Sequence, residues 1–397
     1  MSQSVVDFTI NLAADIGNSE FAAYINNELI RFPNVYSRPV NRGVKADIPL
    51  NTVINQLINE MDVTISSPAV KFNGLYFVGQ KAINTSDKPK SINVGREQKY
   101  NTDYAIISML SVISNYVVMK HYEKAKNLPK QLNIKVNKTV TALPINEWDV
   151  ENAQYFKQRF INHLHSVTVH INNGLYNVPV TIEFDKKRFF VSAEGLPAIY
   201  AIISSENNDL FKDMKLFSPA SKNLKNGKVT AEYFEGKRVA HIDIGDGTVD
   251  LPITHGLNLN RNVLVGTNHG AGHAIKKALS DFMKAKNLSK ITRQKFSEYL
   301  KDENHEYHKD AWEFLKIPAL NEAEFIYDAF ENVLDEVDNE IDIVCVYGGG
   351  SIVLREYLEP LLTELCKNLQ KDLIWIPKEY APLMNVKGLK VMLDNIK

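Results

Sequence analysis

Two short segments of the chain contain the residue types of a turn that binds phosphate. In each segment an aspartate ends an apolar strand pattern, a glycine permits a tight turn, and a hydroxyl side chain follows. Glycine lets backbone N–H groups approach anionic oxygens without a side chain in the way. The residues that we expect at the phosphates are Gly17, Asn18 and Ser19 in the first segment, and Gly245, Asp246, Gly247 and Thr248 in the second.

The aspartates that precede the two turns, Asp15 and Asp243, have a different predicted role. A carboxylate repels phosphate, so neither should contact it directly. Mg²⁺ releases its water ligands reluctantly, and we therefore expect both carboxylates to hold this ion through water. A single Asp-x-Gly after a strand is often only a structural turn. Two copies in matching contexts favour phosphate binding.

A third glycine cluster lies between a short apolar strand pattern and a helical pattern. Its residues are Gly348, Gly349, Gly350 and Ser351. Such a turn lets the backbone approach a flat base or a ribose and places a helix N-terminus nearby, with Ser351 predicted as its N-cap. Alone, the cluster is equally consistent with a tight strand–helix connection. After two phosphate turns, it is predicted to bind the nucleoside. Neither the dinucleotide fingerprint nor the phosphate loop of the common nucleotide folds is present.

The composition is that of a globular protein with two domains. The 397 residues exceed the usual size of a single core. The 46 basic and 47 acidic residues nearly cancel, so no direct contact with nucleic acid is expected. The two cysteines, Cys345 and Cys366, are predicted to be free and buried. No secretion signal is evident and no apolar stretch approaches the roughly 20 residues that cross a bilayer, so we expect a cytoplasmic protein without a membrane segment.

The hydrophobic patterns alternate between strands and helices in both halves, which predicts an α/β fold. A long helix is predicted over residues 104–126, and tight hairpins at Asn26-Asn27 and Asn173-Gly174. In the second half, strands are predicted over 238–243, 248–253 and 342–347, a largely helical stretch over 266–330, and a helix over 352–369.

The order of the three glycine segments resembles that of the actin, sugar-kinase and DnaK-type chaperone superfamily. Smaller features are similar to the bacterial actin-like proteins of the ParM family: residues 75–79, residues 140–144, and the Asn385-Val386-x-Gly388 segment near the end. This resemblance implies an actin-like fold, with two related ribonuclease-H-like domains flanking a nucleotide cleft. Domain I would comprise 1–195 and 377–397, with a subdomain inserted at about 33–100. Domain II would comprise 196–376, with a helical subdomain inserted at about 267–330.

The resemblance also implies a catalytic role for Glu194, together with Asp15 and Asp243. Residues 191–195 are similar to the connecting segment whose glutamate orients the attacking water in that group, although Ala193 stands where many relatives have proline. A carboxylate near the γ-phosphate would position water and accept its proton. An exposed glutamate stabilised at a helix start is an equally good interpretation of Glu194.

The function implied by the resemblance is that of an ATPase that forms filaments. Mg²⁺ and ATP would be its cofactors, although the sequence does not separate ATP from GTP. Its partners would be further copies of itself and a DNA-bound adaptor protein of a plasmid partition system. A small-molecule kinase of the same superfold is the alternative, but residues 196–238 contain no convincing segment for its catalytic aspartate. A chaperone is less favoured, because no substrate-binding domain is expected after Lys397.

Overall fold

The computed structural model of the protein describes residues 5–45, 48–85, 89–93, 96–203 and 231–397. Residue contacts divide the chain into two compact units, and each contains both strands and helices. The first unit is formed by Met1–Leu143, Glu147–Ser192 and Met392–Lys397, and the second by Pro144–Asn146 and Ala193–Val391. The predicted α/β class is confirmed.

The first unit has one mixed sheet with helices packed on it. Its strands are β1 (Val5–Ile16), β2 (Glu20–Ile25), β3 (Glu28–Pro33), β4 (Tyr36–Ser37), β5 (Asp62–Ser66), β6 (Gly74–Val78), β7 (Gln131–Leu143), β8 (His165–Ile171), β9 (Tyr176–Phe184) and β10 (Phe189–Ala193). Its helices are α1 (Leu50–Ile54), α2 (Gln80–Thr85), α3 (Tyr104–Ala125) and α4 (Val150–Ile161). The long helix α3 is buried from Tyr104 to Val118, as its nearly continuous apolar sequence requires.

The second unit combines a smaller sheet with a larger set of helices. Its strands are β11 (Arg238–Ile244), β12 (Val249–Asp250), β13 (Ile253–His255), β14 (Asn258–Leu259), β15 (Gly266–Thr267), β16 (Ile343–Tyr347) and β17 (Asp372–Trp375). Its helices are α5 (Leu196–Ile203), α6 (Ala231–Phe234), α7 (Ala271–Ala285), α8 (Arg293–Lys301), α9 (His308–Glu336), α10 (Gly350–Asn368) and α11 (Met384–Asp394). The apolar faces of α7 to α10 share one core with β11 and β16. None of the helices in the described part of the chain is long and apolar enough to cross a membrane.

The two units repeat one strand arrangement. In the first, β1 turns back into antiparallel β2 and also pairs in parallel with β7. In the second, β11 turns back into antiparallel β12 and pairs in parallel with β16. The predicted phosphate turns are the β1–β2 and β11–β12 connections. Each therefore lies at the carboxyl end of a strand that is flanked on both sides, a position where α/β sheets bind ligands.

Most of the predicted elements are confirmed. Helix α3 ends at Ala125, and the asparagine hairpins have left-handed backbone, with φ of 56° at Asn26 and 52° at Asn173. Cys345 and Cys366 are free and buried. The strand predicted over 248–253 is instead two short strands, β12 and β13. Pro252 separates them, because proline has no N–H for a sheet ladder.

The C-terminal segment lies in a different unit from the one we expected. Residues 377–391 belong to the second unit, and only Met392–Lys397 belong to the first. The physical reason is tight packing of α11, since a Cβ placed on Gly388 would lie 1.6 Å from the carbonyl oxygen of Pro197 at the start of α5. The first unit also ends at Ser192, three residues before the predicted boundary.

Candidate functional site

The second predicted phosphate turn is a closed hairpin with little room for side chains. The Gly245 N–H donates to the carbonyl oxygen of Thr248 over 2.9 Å, and Asp243 is paired with Asp250 across the strands. A Cβ placed on Gly245 would lie 2.9 Å from that same oxygen of Thr248. The turn therefore requires glycine at its first position.

Helix α7 holds this turn from behind through backbone groups. The Ala271 N–H donates to the carbonyl oxygen of Gly245 over 3.3 Å, and the Gly272 N–H donates to that of Asp246 over 2.7 Å. In a trans peptide the C=O and N–H bonds point in opposite directions. The N–H groups of Asp246 and Gly247 therefore point away from α7, so α7 does not occupy them.

The glycine cluster after β16 packs directly on the second turn. Gly348 has φ of +88°, and its Cβ would lie 2.4 Å from the carbonyl oxygen of Ile244. A Cβ on Gly350 would lie 2.6 Å from the carbonyl oxygen of Gly245. Gly349 differs, because no heavy atom of the described residues outside its own neighbours lies within 4 Å of its Cβ position. The fold thus brings the two predicted elements together and leaves open space at the central glycine.

Ser351 does not cap the helix as predicted. Helix α10 begins at Gly350 with Gly349 in the N-cap position and no side-chain cap. The buried Ser351 hydroxyl instead donates to the carbonyl oxygen of Gly348 over 2.8 Å. Three successive glycines allow the helix to start earlier, so the serine stabilises the glycine turn from inside.

Asp243 is fixed by the C-terminal helix. Asp243 is only 6% exposed, and its Oδ2 accepts a hydrogen bond of 2.6 Å from Nδ2 of Asn385. A carboxylate cannot donate, so the Asn385 amide must present its nitrogen here and its oxygen elsewhere. That amide oxygen is buried and has no hydrogen-bond partner among the described residues. It adds an oxygen acceptor beside the carboxylate predicted to hold Mg²⁺ through water.

Glu194 lies in the turn between β10 and α5, and this turn is anchored beside the second hairpin. Gly195 has φ of +81° and its Cβ would lie 2.4 Å from Cγ of Pro252. The Tyr347 hydroxyl donates to the carbonyl oxygen of Gly195 over 3.0 Å. Burial holds the pKa of Tyr347 well above its ordinary value, so the phenol remains a donor. Glu194 is only 8% exposed, and the interpretation as an exposed helix-start residue is therefore wrong.

The first phosphate turn, in the other unit, is also held from behind. Asn34 binds it twice, because its Nδ2 donates to the carbonyl oxygen of Gly17 over 2.7 Å and its N–H to that of Ser19 over 2.9 Å. The Tyr104 hydroxyl lies 3.1 Å from the carbonyl oxygen of Asn18 and also contacts the carbonyl oxygen of Asn34. By the same peptide geometry, the N–H groups of Asn18 and Ser19 point away from the side chains that contact the carbonyls of Gly17 and Asn18.

Asn34 is itself anchored in the core of the first unit. It is fully buried, and its side-chain oxygen accepts a hydrogen bond of 2.6 Å from the hydroxyl of Ser108 on α3. Asp15 and Asn18 are half-buried in this turn, and Ser19 is exposed. Within this turn, the residue that carries the predicted hydroxyl donor is therefore the most exposed one.

Several residues of these turns carry no local signal in the sequence. Asn34 and Tyr104 come from a loop and from α3, and Gly272 is the second residue of a helix. Arg293 forms a two-pronged ion pair with Asp246, with Nη1 donating to Oδ2 over 2.6 Å. Asn385 differs from these residues, because the Asn-x-x-Gly segment near the end of the sequence already drew attention to it.

Solved structures share this architecture over nearly the whole chain. The actin-like protein Alp7A is similar with a TM-score of 0.69 at 18% sequence identity, covering 97% of this chain and 96% of that one. ParM from Clostridium botulinum, solved as a 15-stranded filament, has a TM-score of 0.63 at 17% identity, covering 98% of this chain and 100% of that one.

The fold is actin-like. The archaeal actin homologue Ta0583 shares it with a TM-score of 0.56 at 13% identity, covering 97% of this chain and 99% of that one. No protein-family model and no curated protein matches the chain. In this actin-like fold, the first predicted phosphate turn belongs to the first unit. The second turn, the glycine cluster and the Glu194 turn belong to the second.

Gly349 offers a test that separates ligand binding from folding. We expect Gly349→Val to weaken nucleotide binding at least about tenfold, because its side chain would occupy the open space over the turn. The melting temperature should change little, since among the described residues no atom outside the glycine's own neighbours lies within 4 Å of the Cβ position. Titration with a fluorescent ATP analogue, beside a thermal melt, measures both. Equal affinity in the variant and the parent protein would show that no ligand approaches this glycine.

His241 on β11 predicts a pH dependence of stability. Burial lowers the pKa of His241 to about 3, whereas the unfolded chain protonates near 6.5. Between these values only the unfolded state binds the proton, so stability falls as the pH drops below 6.5, by about 1.4 kcal/mol per unit. We expect His241→Asn to remove this contribution.

Calorimetry at pH 7 and pH 5 measures this difference. In the transition of the second unit, which contains His241, the parent should lose roughly 4–8 °C more in melting temperature than His241→Asn. His255→Asn is the matched control, because His255 is exposed on β13. An identical pH response of His241→Asn and the parent would contradict the assignment.

Proposed function

We propose that the protein binds Mg-ATP and assembles with further copies of itself into filaments, whose lifetime is set by ATP hydrolysis. The observation that carries this proposal is the common construction of the two phosphate turns. In each one the carbonyl oxygens are held from behind by hydrogen bonds. Their N–H groups are therefore preset for an anion, which is the preorganisation that phosphoryl transfer needs.

The residues fit the proposed ligands. Polyphosphate would be bound by the N–H groups of the two turns with the hydroxyls of Ser19 and Thr248. The nucleoside would lie over the open Gly349. Mg²⁺ would be held through water by Asp15 and Asp243, and the orphaned amide oxygen of Asn385 supplies one more acceptor. An oxygen-rich set of this kind is what the ion prefers.

Glu194 would act on the attacking water. Its carboxylate accepts the proton as the water oxygen bonds to the γ-phosphorus and the bond from that phosphorus to the leaving oxygen of ADP breaks. The turn that carries Glu194 is fixed to Tyr347 and Pro252. The carboxylate would thereby keep a defined position relative to the second hairpin.

Self-assembly is supported by the structural relatives. ParM of Bacillus thuringiensis has been solved with ATP, with AMPPNP and with ADP, and the Clostridium botulinum protein as a filament. Nucleotide can control a polymer only if filament and monomer bind its states with different affinities. The proposed partner of the filament is a DNA-bound adaptor protein of a plasmid partition system. Both would be in the cytoplasm.

The test is assembly of the purified chain with Mg-ATP, Mg-GTP, Mg-ADP, Mg-AMPPNP or no nucleotide. Light scattering, sedimentation and phosphate release are followed together. We expect a rapid rise in scattering with a nucleoside triphosphate, followed by decay as phosphate appears, and a lasting rise with AMPPNP. ATP binding without scattering or pelleted material, at every protein and salt concentration, would contradict the filament proposal and favour a small-molecule kinase.

A further inference from the structure

An acidic side chain in the second phosphate turn has its charge balanced from outside the turn. Asp246 supplies an N–H that points away from α7, while its carboxylate faces α7 and α8 and adds a negative charge to a turn predicted to bind polyphosphate. Arg293 contacts both oxygens of that carboxylate, with one of its two hydrogen bonds measuring 2.6 Å. The side chains are 17% and 31% exposed for Asp246 and Arg293, respectively. This two-pronged geometry is the strongest form of an ion pair.

The position of Arg293 in its own helix is unfavourable without this partner. It is the first residue of α8, where Thr292 already caps the helix by accepting from the Lys295 N–H. A helix N-terminus carries partial positive charge and disfavours a cation. Arg293 therefore does not stabilise the start of its own helix, and its favourable electrostatic partner is Asp246.

Helix α7 has a glycine where it passes the ion pair between Asp246 and Arg293. A Cβ on Gly272 would lie 2.6 Å from Nη2 of Arg293 and 2.7 Å from Oδ1 of Asp246. Gly272 donates its N–H to the Asp246 carbonyl as well. One glycine thus lets the helix support the turn and leaves space for the guanidinium.

We infer that Arg293 is a positioning residue that neutralises Asp246, so that the turn accepts a polyphosphate and helices α7 and α8 become sensitive to its presence. This inference rests on the proposed nucleotide binding. The arginine acts through Asp246 and does not itself bind phosphate. A change of charge at Asp246 should therefore compensate for loss of the arginine.

The test is a double-mutant cycle that removes each charge of the pair, read by titration of a fluorescent ATP analogue with Mg²⁺. We expect Arg293→Gln to weaken binding about tenfold or more, because it leaves an uncompensated negative charge in the turn that would hold the phosphates. Asp246→Asn should tighten binding severalfold, and the double variant Asp246→Asn/Arg293→Gln should return close to the parent affinity. Lys295→Gln is the matched control, since Lys295 lies in the same helical turn and pairs with Glu298.

Hydrogen exchange provides a second readout. ATP should slow exchange of residues 271–301 in the parent and less so in Arg293→Gln. Should that variant unfold, Arg293→Lys keeps one positive charge and should bind with intermediate affinity. A double variant as weak as Arg293→Gln, or an Arg293→Gln protein that binds like the parent, would overturn the inference alone. Absence of ATP binding in the parent and in every variant would overturn the proposed function and this inference with it.

Discussion

Glu194→Gln is expected to slow ATP hydrolysis by about 10²- to 10⁴-fold, the usual contribution of a general base. Glutamine has the same shape but cannot accept a proton from water at neutral pH. Because Glu194 is buried in a turn held by Tyr347 and Pro252, the substitution should leave the backbone of this turn in place. Phosphate release per filament subunit measures the effect, and the filaments should persist correspondingly longer.

The control for this prediction is a glutamate elsewhere in the chain. Glu183 is exposed on β9, and Glu183→Gln should hydrolyse ATP at the parent rate. Unchanged hydrolysis in Glu194→Gln, with ATP binding intact, would refute the catalytic role. The carboxylate would then be only a structural part of its turn.

Gly388→Ala is expected to destabilise the second unit by about 3 kcal/mol or more. The added carbon would lie 1.6 Å from the carbonyl oxygen of Pro197, so α11 and the start of α5 must move apart. Asn385 lies on the same helix and holds Asp243. The displacement should therefore also weaken Mg²⁺-dependent ATP binding.

Differential scanning calorimetry checks the stability change, with a drop of roughly 6–12 °C expected in the transition of the second unit. Gly349→Ala is the matched control, because no heavy atom of the part of the chain that the structure describes, outside its own neighbours, lies within 4 Å of the Cβ position. The φ of −63° at Gly349 also suits alanine. Similar melting temperatures for Gly388→Ala and Gly349→Ala would mean that α11 is not packed on α5 as described.

Local sequence signals were sufficient to predict the two glycine hairpins but not the residues that support them. Aspartate followed by a spaced glycine marks both phosphate hairpins, because the turn needs those residues whatever surrounds it. Tyr104 lies 86 residues from the carbonyl it supports, and Arg293 lies 47 residues from Asp246. No periodicity relates such distant positions, and only the folded sheet brings them together.

The misplaced predictions also have local physical causes. Ser351 has the residue type of an N-cap, but the glycines before it allow the helix to begin at Gly350. Pro252 interrupts the strand predicted through it. The C-terminal residues 377–391 contain no feature that indicates their unit, since the steric fit of Gly388 depends on a partner almost two hundred positions earlier in the chain.

The different supports of the two phosphate turns should leave different marks under random mutagenesis. The first turn depends on the side chains of Asn34 and Tyr104, which single codon changes can remove. The second depends on backbone N–H groups of α7, which most substitutions retain. In a library selected for function, we expect positions 34 and 104 to tolerate few replacements. Within α7, intolerance beside the turn should concentrate at Gly272, where the obstacle is added volume and not a lost donor.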